Sequence, residues 1–520
     1  MTKKDIEYKM SMINNQFWDI DRNKIVINQY RLNKYLSSEG FYKYKSANDD
    51  VYDFLRIVDK RIEKTTPTQM SEFVVSELES CNDPSIPQDD LLESFVSTGI
   101  KYFKLEKLTT ISEIKNLDVQ EDTAEIAYFY FKNCFVEINQ ANCIVRDYSE
   151  LNKRIWNYQV IERDITLDKK IGDFQIFSEC CSTFNGDLDI LSLDSLETSL
   201  GYLCHRYKDV SNTKLCLFVD SLKEENIAED GCSNISSNGG TGKSLLLNQS
   251  LKQMMNCCIV DGKQFNPKSQ FGFQQLKDED SVMLIDDVDK KFDIESLYSV
   301  ITGNIEIERK FKNRVSISFE NAPKIAISSN YAVGATGTSF SRRVHIHQLS
   351  DYWSNLLKTK QLNPSDVLTN GRMFSKTWSE EQWNQFFTYL FNCIQKYLKN
   401  GLVSARQKEY LLAKAMNKIG NRDVTLWIME NIVEKIDSLN AQYDGRGLEI
   451  KELHQKFKNW AISENIDKKF FNQRTFTEAL KVLVQEYNYG VNVHYPRGRN
   501  QQRIGNKRYD HYFFTTQSIN

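Results

Sequence analysis

No stretch of this 520-residue sequence approaches the ~20 consecutive apolar residues of a membrane-spanning helix, which excludes a helical integral membrane protein. The opening residues, MTKKDIEYKM, are basic but have no apolar run after them, so no secretory leader is expected. The 11 cysteines contain no C-x-x-C spacing. Their odd number in a chain without a leader fits reduced, mostly buried thiols better than a disulfide framework or a structural zinc site. Charge imbalance is missing as well: Lys plus Arg number 67 and Asp plus Glu 70, a formal net charge of -3. A near-neutral total still leaves room for a local basic patch, so it decides nothing about nucleic acid. Internal repeats and low-complexity segments are also absent. What remains, 40% hydrophobic and 26% charged, is the composition of a soluble globular protein, expected in the cytoplasm and long enough for roughly three or four domains.

Residues 1–205 mix short strand-like and helix-like runs. KIVINQYRL (24–32) alternates like a strand, VYDFLRIVDKRIEK (51–64) has apolar residues at helical spacing, and TTPTQMSEFVVSELES reads as a capped helix start. Asp187 and Asp189 with His205 allow a reading as a metal-binding primase fragment. The helical periodicity of ILSLDSLETSLGYLCHRY instead predicts that these polar groups lie on an exposed helix face. From 206 to 350, KLCLFVD, NCCIVDG, SVMLIDD and KIAISSN each read as an apolar strand ending in a polar residue, interleaved with helices. That is the pattern of an α/β domain with a mainly parallel sheet, whose ligands bind at the carboxyl ends of the strands. Residues 351–439 read as helical, with a Ser379-x-x-Gln382 capping box. NAQYDGRG (440–447) marks a linker before a last module, 440–520.

The chemistry centres on SNGGTGKSLLL (237–247), a phosphate-binding loop with Ser237 where the first glycine usually stands. Gly239, Gly240 and Gly242 let backbone N–H groups wrap phosphates, Lys243 is placed to neutralise the β/γ oxygens, and Ser244 to hold Mg²⁺. Thr241 and Leu245 complete the nucleotide-binding stretch, and a helix begins there with its positive end toward the phosphates. The segment just before the loop, GCSNIS, is hardly apolar, so the strand feeding the loop is not placed by the sequence. Downstream, VMLIDDVDK offers Asp286 to the Mg²⁺ shell and Asp287 to orient an attacking water. A nucleotide hydrolase is the expectation.

Three further segments narrow the class. IEIERKFKNRVSISF (305–319) reads as two strands around a Lys312-Asn313 turn, with Arg309, Lys310, Lys312 and Arg314 clustered there. Such a hairpin is either a solvated edge or a grip on a phosphate backbone. PKIAISSN places Asn330 at a strand end, able to sense a γ-phosphate. SFSRRVHIHQL sets Arg342 and Arg343 on a loop before an alternating strand, suited to completing a neighbour's site.

In this order GGTGKS, LIDD, ERKFK, PKIAISSN and SRRVHIH resemble motifs A, B, B′ and C and the arginine finger of superfamily 3 helicases. These are AAA+-type hexameric DNA helicases of small DNA viruses, phages and plasmids, and the resemblance is to their phage and plasmid primase-helicase group. It spans about 110 residues, 237–347. It implies ATP and Mg²⁺ as cofactors, with Lys243 and Ser244 as their ligands and Asp286 and Asp287 as the Walker B pair. It further implies Lys310 and Lys312 as DNA-contacting lysines, Asn330 as sensor 1, and Arg343 as the finger with Arg342 in reserve.

In the last module LEIKELHQKFKNWAISE and NQRTFTEALKVLVQEY read as amphipathic helices, followed by strand-like GVNVHY and YDHYFFTT. That is the order at the end of a winged helix. The joining loop carries Arg497, Arg499, Arg503, Lys507 and Arg508 with no acid between Tyr495 and Asp510, which suits phosphate contact. The expected architecture is thus multidomain α+β: a mixed or helical N-terminal region, a central α/β P-loop ATPase of AAA+ type, a helical region and a C-terminal winged-helix module. The expected activity is ATP-dependent unwinding of single-stranded and forked DNA by a hexameric ring during replication of a phage, plasmid or other mobile element in its host's cytoplasm, alongside other replication proteins and without a membrane. Two other readings stay open. One is an AAA+ ATPase that remodels a protein or DNA complex in regulation or defence without unwinding; the other is a primase-helicase or a DNA-binding initiator.

Overall fold

The four apolar runs that end in polar residues become neighbours in one parallel sheet: β1 (Leu215–Val219), β2 (Cys257–Asp261), β3 (Val282–Val288) and β4 (Lys324–Ser329), with β5 (Val344–Gln348) added at one edge. The spatial order is β2-β3-β4-β1-β5, and every pairing is parallel. Parallel neighbours need crossover connections that cover both faces, which is why these strands are apolar runs rather than alternating ones. Their inward faces share one core that includes Leu217, Val219, Ile285, Ile327 and Ile346. This computed structural model describes residues 16–21, 24–45, 52–80, 88–220, 240–310, 314–333, 338–369, 372–405, 408–435, 448–486, 491–493, 501–504, 507–512 and 514–516.

Two expectations about this region need correction. β5 is not a half-exposed alternating strand: all five of its residues are buried, His345 and His347 among them. Burial drives the pKa of His345 down to about 4 and that of His347 to about 3, so both imidazoles are neutral. The exposed face expected for Asp187, Asp189 and His205 holds only in part: Asp187 and Asp189 are exposed, but His205 is buried, and in the helix Ile190–Cys204 every residue from Ser195 to Cys204 is buried. Its hydroxyls tolerate this by bonding to the preceding turn: Thr198 Oγ1 donates to Asp194 O at 2.7 Å and Ser199 Oγ to Ser195 O at 2.6 Å. The helix Glu380–Asn400, entered through the Ser379/Gln382 capping box, packs so closely on it that a Cβ at Gly201 would collide with the Cys393 carbonyl.

The residues of the primase-like pattern have other duties. Asp189 caps that helix, accepting from Ser192 N at 3.0 Å, and His205 is buried with Nε2 2.8 Å from Thr123 O. No group of three or more His, Cys, Asp or Glu able to hold a metal exists among the described residues. At the start of β4, Lys324 is 3% exposed. Its Nζ donates to Tyr202 O at 2.8 Å and to His205 O and lies 4.0 Å over the Tyr202 ring; burial lowers its pKa to about 7.

The chain divides into two compact units. One comprises residues 1–121, 129–136 and 145–164, and the other comprises 122–128, 137–144 and 165–520. The first contains a five-stranded sheet in the order Ile155–Trp156, Arg61–Thr65, Asp53–Val58, Phe41–Tyr44 and Glu113–Ile114. Residues 53–65 are therefore a hairpin, where a helix was expected over 51–64. Asp59 and Lys60, with φ of 48° and 66°, make a two-residue turn of the twisted type that hairpins favour. Leu55 and Ile62 are fully buried on the sheet. Strand Lys24–Ile27 and helix Pro67–Glu79, with its Thr66/Gln69 capping box, follow the sequence reading, although the strand gives way to helix Gln29–Ser38.

Toward the C-terminus, helices Lys408–Ile419, Arg422–Asn431, Ile450–Ser463 and Gln473–Glu486 share one core, in which Leu412, Met416 and Ile428 meet Phe457, Phe476 and Leu480. Short strands follow. Gln501–Ile504 pairs with Lys507–Tyr512, and Val491–Val493 pairs with Phe514–Thr516. No helix among the described residues is long and apolar enough to cross a membrane.

Candidate nucleotide site

The glycine loop sits at the carboxyl end of β1, which ends at Val219; GCSNIS, Ser237 and Gly239 lie outside the described residues. Gly240 and Gly242 both have φ near 94°, a conformation that side chains resist. A Cβ at Gly242 would also press to 2.7 Å from Phe177, and one at Gly240 to 2.9 Å from Leu357. The loop is thus shaped by glycine geometry and backed by packing. Lys243 and Ser244 open the helix that follows, which continues as a π-type turn over Leu245–Gln249 before Ser250–Met254. Ser244 is exposed and Leu245 half-buried. π-type turns inside helices cluster at functional sites.

From Lys243 a chain of polar contacts crosses the strand ends. Its Nζ donates to Asn330 Oδ1 at 2.7 Å, and Asn330 Nδ2 donates to Asp287 Oδ1 at 2.9 Å. Three residues singled out from separate motifs are therefore joined directly. Asp287 occupies a bulge where the β3–β4 register shifts between Ile285 and Val288, and its φ is 58°. A left-handed non-glycine residue is held only where its surroundings fix it. Here its backbone N donates to Ser328 Oγ at 2.8 Å, and its second carboxylate oxygen pairs with Lys263. Asp286, half-buried, accepts from the same Ser328 hydroxyl at 2.5 Å.

Two residues of this cluster escaped the motif reading. Asp220, the residue after β1, is 1% exposed and accepts from Lys243 Nζ and Thr241 Oγ1. Its signal was an apolar strand, KLCLFVD, ending in an acid at the ligand end of a parallel sheet. Lys263 follows β2, and its hydrogen bond to Asp287, then the charge of that carboxylate, raises its pKa.

The remaining described candidates make other contacts. The hairpin forms, Ile305–Ile307 against Val315–Ile317, but its basic residues differ in what they touch. Arg309 donates through Nε to Gln274 O at 3.1 Å and through Nη2 to Leu276 O; Arg314 pairs with Glu306 at 3.0 Å. Lys310 is exposed, and Lys312 lies outside the described residues. Arg342 and Arg343 end a short helix, Thr338–Arg343, rather than a loop. Arg342 is exposed, whereas Arg343 is half-buried with its guanidinium 5.2 Å over the Tyr298 ring. In the C-terminal hairpin Arg503 is the direct cross-strand partner of Arg508, next to Ile504 and Lys507; Arg497 and Arg499 lie outside the described residues.

A family model described as a family of unknown function, DUF5906, matches residues 235–343. No curated protein matches the chain. Among solved structures, two of the NrS-1 C-terminal region are similar at 14% and 13% identity, covering 94% of this chain and 100% and 99% of theirs, each with a TM-score of 0.42. A JCV helicase bound to a small molecule is similar at 12% identity over 48% of this chain and 72% of that one, with a TM-score of 0.23.

Proposed function

We propose that the chain is an ATP-hydrolysing DNA helicase whose motor is the β1–β5 sheet and its cover. The observation that carries this reading is the bonded series Lys243–Asn330–Asp287, which gathers a loop lysine, a strand-end amide and a strand-end acid at the carboxyl edge of one parallel sheet. The residues fit a nucleoside triphosphate with Mg²⁺. Gly240 and Gly242 hold the left-handed backbone of the loop that side chains resist, and a buried lysine lies just beyond them. The backbone of 240–244 and Lys243 would hold phosphates, and Ser244 and Asp286 would hold Mg²⁺, which supplies charge neutralisation at the transferring phosphoryl group. Asp287, fixed in place by Asn330 and Ser328, is suited to align a water. Asn330 touches both Lys243 and Asp287 and thereby ties phosphate binding to water placement.

The DNA contacts follow from what is free to make them. Arg309 and Arg314 brace the hairpin, leaving exposed Lys310, with Lys312 beside it in sequence, for phosphates. The C-terminal hairpin sets Arg503 and Arg508 in register as backbone partners, and two basic residues at one such position suit an anionic partner. That supports duplex or fork contact by this module, read as a winged helix. Arg342 and Arg343 are suited to finishing a neighbour's site in a ring, as a hexamer would require.

The test combines Mg²⁺-dependent ATP turnover with displacement of a strand from forked DNA, for wild type and Lys243→Ala. DNA-stimulated turnover with displacement, both lost in the variant, is expected. Stimulated turnover without displacement would favour a remodelling ATPase, and unchanged turnover in Lys243→Ala would remove the nucleotide reading altogether.

A further inference from the structure

The candidate site contains a buried anion that no motif assigns to it. A lysine ammonium has three donors. Those of Lys243 reach Asp220 Oδ1, Asn330 Oδ1 at 2.7 Å and, more weakly, Thr241 Oγ1 at 3.4 Å. Lys243 is 8% exposed and Asp220 1% exposed, so water does little to screen the pair. A phosphate that reaches Lys243 must take a donor from one of these three acceptors. Two of them, Asn330 and Thr241, are neutral and can remain beside a phosphate. Asp220 is a carboxylate and repels one.

We propose that Asp220 is an internal competitor for the phosphate position on Lys243, and that a nucleotide binds by exchanging its phosphate for this carboxylate. The proposal rests on the nucleotide reading of Lys243 and adds to it a residue that sets affinity. Asp220 cannot simply be left behind, because a buried carboxylate stripped of its cation is costly. Its Oδ1 would keep only the Thr241 hydroxyl, and its Oδ2 has no hydrogen-bond partner among the described residues. Asp220 must therefore take up a proton or swing out of the strand end when the phosphate arrives. Either response makes nucleotide binding by this loop weaker than its glycines and lysine alone would give.

The experiment is nucleotide binding by the full chain, measured calorimetrically with Mg-ADP and with a non-hydrolysable ATP analogue, for wild type, Asp220→Asn and Lys243→Ala. Asparagine keeps the size of Asp220 and an oxygen for Thr241 and Lys243 while removing the charge. Asp220→Asn is expected to bind both nucleotides roughly tenfold more tightly than wild type, a change of about 1.4 kcal/mol, whereas a merely structural lesion would weaken binding. Lys243→Ala is expected to bind neither. If wild type binds no nucleotide, the nucleotide reading fails and this inference fails with it. If wild type binds and Asp220→Asn binds equally or less tightly, Asp220 is a permanent partner of Lys243 and this inference alone is wrong. Should Asp220→Asn not fold, Asp220→Ser is read by the same criterion.

Discussion

Lys243 and Asp287 are joined through a single side chain: the oxygen of Asn330 accepts from the lysine at 2.7 Å while its nitrogen donates to the acid at 2.9 Å. Only an amide has both a donor and an acceptor at this spacing, so neither alanine nor aspartate can replace it. Asn330→Asp removes the donor and sets a second carboxylate against Asp287. ATP turnover is expected to fall by roughly tenfold to a hundredfold in either variant, as loss of a hydrogen bond to a charged group predicts. Nucleotide binding should persist through Lys243, so turnover and affinity are measured together; a loss confined to affinity would detach Asn330 from the acid.

The hairpin separates bracing arginines from an exposed lysine. Lys310→Ala with Lys312→Ala is expected to lower the slope of log binding constant against log salt by roughly two, one for each lysine that no longer meets a phosphate, whatever the DNA sequence. Basal ATP turnover should be unchanged. Arg309→Ala instead removes donors to Gln274 O and Leu276 O and should cost about 1–3 kcal/mol of stability in a denaturant melt.

Of the adjacent arginines, the exposed one has freedom to reach outward. Arg343 already rests on Tyr298 of its own chain. When variant subunits are titrated into wild type, Arg342→Ala is expected to depress turnover more steeply than its mole fraction, and Arg343→Ala in proportion or less. The reverse ranking would make Arg343 the finger.

Stability should fall in acid over a defined window. His205 and His345 titrate near 4, and His347 near 3, against 6.5 for an ordinary imidazole, chiefly because burial disfavours their charged forms. Below about pH 6.5 the unfolded chain takes up these protons and the folded chain does not, so stability declines as pH falls from 6.5 toward 4, by about 1.4 kcal/mol per pH unit for each histidine. Lys324, lowered to about 7 from 10.5 by burial, acts in the same direction at higher pH: its penalty is complete below 7 and eases as pH rises toward 10.5. Denaturant midpoints from pH 4 to 9 should show both slopes, and His345→Leu should flatten the acidic one.

Much of the fold was legible because its signals are local. Apolar runs marked β1 to β4, and reciprocal side-chain caps marked helices Pro67–Glu79 and Glu380–Asn400. The misreadings arose where one pattern served two structures. In residues 51–64 the apolar residues satisfy a helical period, and Asp59-Lys60 lacks the glycine that usually announces a tight hairpin turn. In Ile190–Cys204 an exposed polar face was expected, yet Thr198 and Ser199 are buried with their hydroxyls bonded within their own helix. Asp220 carried the general signal of a strand-end acid, but its pairing with Lys243 was not legible because it depends on β1 ending beside the loop.

Lys324 and Asn330 lie at opposite ends of β4, the former at its first residue and the latter just past its last. At about 3.3 Å per residue the strand is a post roughly 20 Å tall. Its foot is set in the carbonyls of Tyr202 and His205, and its head stands among the charges of the site. Such a post cannot slide along its length without drawing an ammonium group out of a dry socket. A displacement of Asn330 along the strand is therefore opposed at the foot, whereas a tilt about that foot is not.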